Sequence, residues 1–123
     1  MTLQDSILPG RPAPGSLGIF GGTFNPIHTA HLIIAEEARI RLGLEEVQFI
    51  PNRIPPHKRE EMGLASEEDR YLMAALATAD NPSFFVSRIE LDREGPSYTY
   101  DTLKALRDRI PRLFVTNGIV SLT

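Results

Sequence analysis

LGIFGGTFNPIHTAH, Leu17 to His31, passes from an apolar run through two glycines into the start of a helical pattern. Leu17 to Phe20, bounded by Gly21 and Gly22, predicts a short buried strand. A helix follows from about His31 to Leu42, with Ile34, Ala35, Ala38 and Leu42 on one face and Gly43 at its C-terminal end. Outward from this unit the pattern repeats. Val47 to Ile50 is a second strand, stopped by Pro51, and residues 51–65 read as a loop rich in proline and charge. Ser66 ahead of Glu67, Glu68 and Asp69 suits a helix N-terminus, with Leu72, Ala75, Leu76 and Ala79 as its buried stripe. Asn81-Pro82 ends that helix, and Phe84 to Leu91 forms a third strand. A turn at Gly95-Pro96-Ser97 leads to a third helix, Tyr98 to Ile110, and Leu113 to Thr116 begins a fourth strand. This alternation predicts an α/β fold with an open, doubly wound, Rossmann-like parallel sheet. Ligands of such sheets bind beyond the carboxyl ends of the strands, which directs attention to loops 21–30, 51–65 and 92–99 and to whatever follows Thr116.

Composition narrows the class. The chain has 123 residues, 41% of them hydrophobic and 24% charged, which excludes global disorder, collagen repeats and a coiled coil. A formal charge of -3 argues against a general nucleic-acid coat, while leaving room for a local phosphate site. With no cysteine, a disulfide framework and a thiolate metal site are excluded. No apolar run is long enough to predict a membrane-spanning helix, and the start lacks the pattern of a secretory signal, so the expectation is a soluble cytoplasmic protein. Residues 1–16 carry a cluster of prolines and glycines and read as a flexible tail, with the folded domain over residues 17–123.

The loop after the first strand has the chemistry of an anion site. Gly21 and Gly22 let backbone approach an anion, and the following helix offers free N–H groups and the positive end of its dipole. His28 and His31, three apart, share a helical face if both enter the first turn. Two imidazoles aimed at one oxyanion suit phosphoryl transfer, in which the protein mainly positions groups and neutralises charge. The same pair could ligate zinc, but there is no cysteine and only one further histidine, His57. Neither a Gly-Lys-Ser/Thr phosphate loop nor a Gly-x-Gly-x-x-Gly fingerprint is present. Lys58, behind Pro55 and Pro56, is a point charge suited to phosphate, with Arg53 a weaker candidate.

GIFGGTFNPIHTAHL resembles the ATP-binding opening of the nucleotidyltransferase superfamily, and more narrowly that of bacterial nicotinate-nucleotide adenylyltransferases. FIPNRIPPHK at 49–58, ASEEDRYLMAALA at 65–77 and GPSYTYDTL at 95–103 resemble the same family in order and spacing. The resemblance implies a nucleotidyltransferase fold that binds ATP with Mg2+ and transfers its adenylyl group to nicotinate mononucleotide in NAD biosynthesis. It implies catalytic roles for His28, His31 and Lys58, and nucleotide contacts from Gly21, Gly22, Thr23 and Phe24. His57, Tyr98 and Thr99 would bind the mononucleotide, the last two reading its carboxylate. No resident protein metal site is implied. Asn25 stands where the family often has Asp, and Ala30 where its motif has Gly. The family's later Ile-Ser-x-Thr-x-Ile-Arg segment has no match, and the tail from Asn117 leaves the family frame, as truncation or a shifted reading frame would produce. Two other readings stand beside this one: another adenylyltransferase, such as one acting on phosphopantetheine, and an inactive fragment that at most binds nucleotide or associates with itself.

Overall fold

The structure of the chain is a computed structural model that describes residues 16–54, 56–93, 101, 104–105 and 113–115. Strand β1 (Leu17–Gly22) lies at the centre of a parallel sheet. Strand β2 (Glu46–Pro51) pairs with it from Leu17↔Glu46 to Gly22↔Pro51, so both strands end level. Strand β3 (Phe84–Val86) pairs with the far side of β2, and strand β4 (Leu113–Val115) with the free side of β1. The order β3-β2-β1-β4 is that of a doubly wound α/β fold.

Strand alternation builds two faces. Phe20, Val47, Phe49 and Phe84 point to one face and pack with Ala35 and Ala74 in one cluster. These alanines come from helix α1 (Thr29–Leu42), which joins β1 to β2, and helix α3 (Glu67–Thr78), which joins β2 to β3. Both crossovers therefore cover the same face, as right-handed connections in this strand order require. Leu17, Ile19 and Ile50 form a second cluster on the other face. Each fully buried phenylalanine contributes about 1.5–3 kcal/mol.

Several boundaries differ from expectation. Helix α1 starts at Thr29, two residues earlier than the apolar pattern placed it, because His28 is its N-cap. Gly43 at φ 63° ends it in the left-handed conformation that glycine tolerates, as expected. The stretch 51–65 is not all loop: helix α2 (Pro56–Met62) lies within it, and Pro56 suits the first helical position. Lys58 is therefore on a helix, not on an extended segment. Strand β3 stops at Val86, where a turn takes over before Leu91.

The stripe expected on α3 is reversed. Leu72 and Leu76 are 56% and 71% exposed, while Arg70, Ala74 and Thr78 are buried. Small side chains let the helix approach the phenylalanine-rich sheet face, and the Arg70 guanidinium finds carbonyl partners at Thr23 and Ala65, beyond the strand ends. Leu42 of α1, expected in the core, is likewise exposed. Ser16, the last residue of the expected tail, is buried; its hydroxyl accepts from the Glu45 N–H at 2.9 Å. Residues 1–15 and most of the expected third helix lie outside the described residues, although Asp101, Lys104 and Ala105 are helical.

Candidate functional site

The carboxyl ends of β1 and β2 are tied together by the Asn52 N–H, which donates to the Gly22 carbonyl at 2.9 Å. Beyond this point Thr23 and Phe24 turn inward. Phe24 has φ 50°, a left-handed conformation uncommon for a residue with a side chain, and its ring is fully buried. The ring meets Phe20, Phe49 and His31 edge-on, at centroid distances of 5.6, 5.9 and 5.2 Å. Burial of the ring offsets the strained backbone. Gly22 makes room for it: a Cβ there would lie 3.3 Å from two of its atoms.

The loop then enters α1 through the two histidines. His31 is 1% exposed and His28 is exposed, yet their rings lie with centroids 3.9 Å apart and planes inclined by 35°. The His28 N–H donates to His31 Nδ1 at 3.1 Å. An accepting Nδ1 puts the proton of the neutral His31 ring on Nε2, which is then a donor. The structure thus brings Gly21, Gly22, Thr23, Phe24, His28 and His31 into one turn of chain at the head of α1.

Charge is distributed to match. The first turn of α3 holds Glu67, Glu68 and Asp69, which neutralise that helix's positive end within the protein. The first turns of α1 and α2 hold no acidic residue. The N-terminus of α1, which follows the carboxyl end of β1, keeps the field that attracts an anion. His57 and Lys58 lie exposed in the first turn of α2, and among the described residues Lys58 pairs with no carboxylate. Arg53, by contrast, is engaged: it donates to the Arg93 carbonyl and stands 3.9 Å from Glu67. These contacts fasten two loops together. Tyr98 and Thr99 lie outside the described residues.

Two residues with no assigned site role join the loop to the rest of the site. The Asn25 Oδ1 accepts from the Ala65 N–H at 2.9 Å. The buried Arg70 donates through Nη1 to the Thr23 carbonyl at 2.8 Å and through Nε to the Ala65 carbonyl at 3.2 Å. Burial lowers the pKa of Arg70, with Glu67 opposing and Arg59 adding to the shift. One signal in the sequence could have found it: Arg70 shares a helical face with the small residues Ala74 and Thr78. On α3's outer side, Arg88 binds Glu68 through two bonds, which hold that carboxylate below its ordinary range. Among the described residues no group of three or more His, Asp or Glu gathers as a metal site. The donors at the loop are imidazole and backbone N–H groups, which suit phosphate oxygens and not a hard cation.

A family model described as cytidylyltransferase-like matches residues 19–121. The chain is 54% identical over 92 residues to a probable nicotinate-nucleotide adenylyltransferase of Geobacillus thermodenitrificans, covering 75% of this chain and 42% of that protein. It is 48% identical over 95 residues to nicotinate-nucleotide adenylyltransferase of Bacillus subtilis, covering 77% and 50%. The chain spans about half the length of the curated relatives it matches. Among solved structures, Plasmodium falciparum nicotinic acid mononucleotide adenylyltransferase complexed with NaAD superposes with a TM-score of 0.62 at 21% identity. That superposition covers 81% of this chain and 49% of the other, and bears on the fold.

Proposed function

Since the chain belongs to the cytidylyltransferase-like family, we propose that it holds ATP at the loop 21–31 and transfers the adenylyl group to nicotinate mononucleotide, giving deamido-NAD and pyrophosphate. The observation that carries this reading is the closely packed His28–His31 pair at the head of α1, soon after the two glycines that end the central strand. An oxygen of the mononucleotide phosphate attacks the α-phosphorus of ATP in line. A new O–P bond forms, the bond to the bridging oxygen breaks, and that oxygen leaves with its electron pair on pyrophosphate. The attacking phosphate is already an anion, so no general base is needed.

The His31 Nε2–H and the N-terminus of α1 would stabilise charge on the α-phosphate and the leaving group. His28 would assist on the same phosphates, and Lys58 would meet them from α2 as a compact positive charge. Backbone of Gly21, Gly22, Thr23 and Phe24 would line the nucleotide. Mg2+ enters as part of the Mg·ATP substrate, neutralising the triphosphate. His57, Tyr98 and Thr99 are proposed contacts of the mononucleotide. Identities of 46% and above with adenylyltransferases of nicotinate mononucleotide support the acid as acceptor. No helix among the described residues is long and apolar enough to cross a membrane. We infer a cytoplasmic setting from the substrates themselves.

A coupled pyrophosphate-release assay with nicotinate mononucleotide, its amide and phosphopantetheine tests the reading. Release with the acid alone is expected; release with phosphopantetheine alone would overturn it. His31→Ala is expected to lower turnover by about 10²–10³-fold while leaving mononucleotide affinity nearly intact. Equal losses in both would make that histidine structural. Because the chain covers half of its relatives, an ATP titration accompanies the assay. Binding without release would leave the nucleotide site in this chain and turnover with the longer proteins.

A further inference from the structure

We propose that Arg70 and Asn25 form a latch that sets the geometry of the 23–28 loop, and that Arg70 is a positioning residue for polyphosphate binding. The inference rests on the nucleotide-site reading above. Arg70 reaches two backbone carbonyls from separate segments, Thr23 in the loop and Ala65 in the connector between α2 and α3. Asn25 closes the same connection from the other side, accepting from the Ala65 N–H. Loop and connector are therefore pinned at both the N–H and the carbonyl of one residue, Ala65.

The guanidinium is fully buried, and among the described residues its Nη2 has no hydrogen-bond partner. An apolar side chain of similar volume would fill that space without desolvating a charge, so stability alone does not account for an arginine there. Orientation does. The Thr23–Phe24 peptide is planar and trans, so its C=O and N–H point in opposite directions. With the Thr23 carbonyl held toward Arg70, the Phe24 N–H is turned to the opposite side of the chain from α3. The same restraint steadies Phe24 in its left-handed conformation, and the Phe24 ring abuts His31. Displacement of the loop would thus reach both the backbone donors and the histidine pair. The Asn25 contact uses only an oxygen acceptor, so a carboxylate at that position preserves the latch.

The test uses the full chain with Arg70→Lys, Asn25→Ala and Asn25→Asp. Lysine keeps the charge but cannot span both carbonyls. Calorimetric titration with Mg·ATP is paired with long-range 1H–15N spectra of the His31 ring, which report whether its proton stays on Nε2. Arg70→Lys and Asn25→Ala are expected to weaken ATP binding by about 10- to 100-fold and to mix the His31 tautomers, while Asn25→Asp restores both. Unchanged affinity and an unchanged ring signature in the folded variants would overturn the proposal, as would equal losses in both Asn25 variants. If Arg70→Lys does not fold, the two Asn25 variants decide. If the unaltered chain binds no ATP, the nucleotide reading fails, and the His31 signature still judges the latch.

Discussion

Phe24 concentrates much of the site's physics in one residue. Its left-handed backbone is costly, its buried ring offsets that cost, and the ring packs against His31 and occupies the space a side chain at Gly22 would enter. Gly22→Ala puts a methyl 3.3 Å from that ring, tighter than most packed contacts, so the ring must give by a few tenths of an ångström with Phe20 and Phe49 packed against it. The expected cost is about 1–3 kcal/mol of stability in chemical denaturation, together with weaker binding of Mg·ATP. Unaltered stability would mean the ring has room to retreat. The double glycine was visible in the sequence as a place where backbone approaches an anion. That Gly22 also accommodates the chain's own aromatic ring was not, because spacing carries no information about where Phe24 turns.

The helices separate what patterning reveals from what it hides. Starts and stops followed local chemistry: the Ser66 hydroxyl accepts from the Asp69 N–H at 3.2 Å, and Gly43 closes α1. The face of α3 did not follow hydrophobicity, since two leucines point outward and an arginine points in. This reversal has a direct check. Ala74→Leu should destabilise the chain by about 1–3 kcal/mol through overpacking against the sheet. Leu76→Gln, at a 71% exposed position, should stay within about 0.5 kcal/mol. The opposite ranking in thermal unfolding would restore the leucine stripe to the core. Midway along α1, Glu36 binds Arg39 and accepts from Asn81 Nδ2 at 3.0 Å, fastening α1 to the segment before β3. The Arg39 bond holds Glu36 below its ordinary 4.5, with partial burial opposing and Asn81 helping. A depressed folded-state pKa means stability that is present above pH 4.5 and lost as pH falls through the lower, folded value. Glu36→Gln should therefore cost about 0.5–1 kcal/mol at pH 7, a difference that closes in acid melts.

The whole molecule depends on β1 being paired on both sides. Alternation of strand and helix patterns was enough to anticipate the open, doubly wound parallel sheet, because crossover handedness leaves few arrangements open. The bonds made by loop residues were not anticipated: Asn25 with Ala65, Arg53 with Arg93 and Arg88 with Glu68 join residues far apart in sequence through polar contacts that leave no periodic trace. Strand β4 shows how much one short segment carries. Leu113, Phe114 and Val115 align with Leu17, Gly18 and Ile19, so they occupy the hydrogen-bonding edge of the strand that leads into the histidine loop. Ending the chain at residue 112 would expose that row of N–H and C=O groups on an apolar strand, Leu17 and Ile19, buried when β4 is in place. The shortened chain is expected to self-associate through β1, giving a concentration-dependent rise in light scattering. Its His31 ring should also lose the single-tautomer signature, because β1 fixes where the loop begins. A monodisperse monomer with that signature intact would show that pairing with β2 alone holds the central strand and its loop in place.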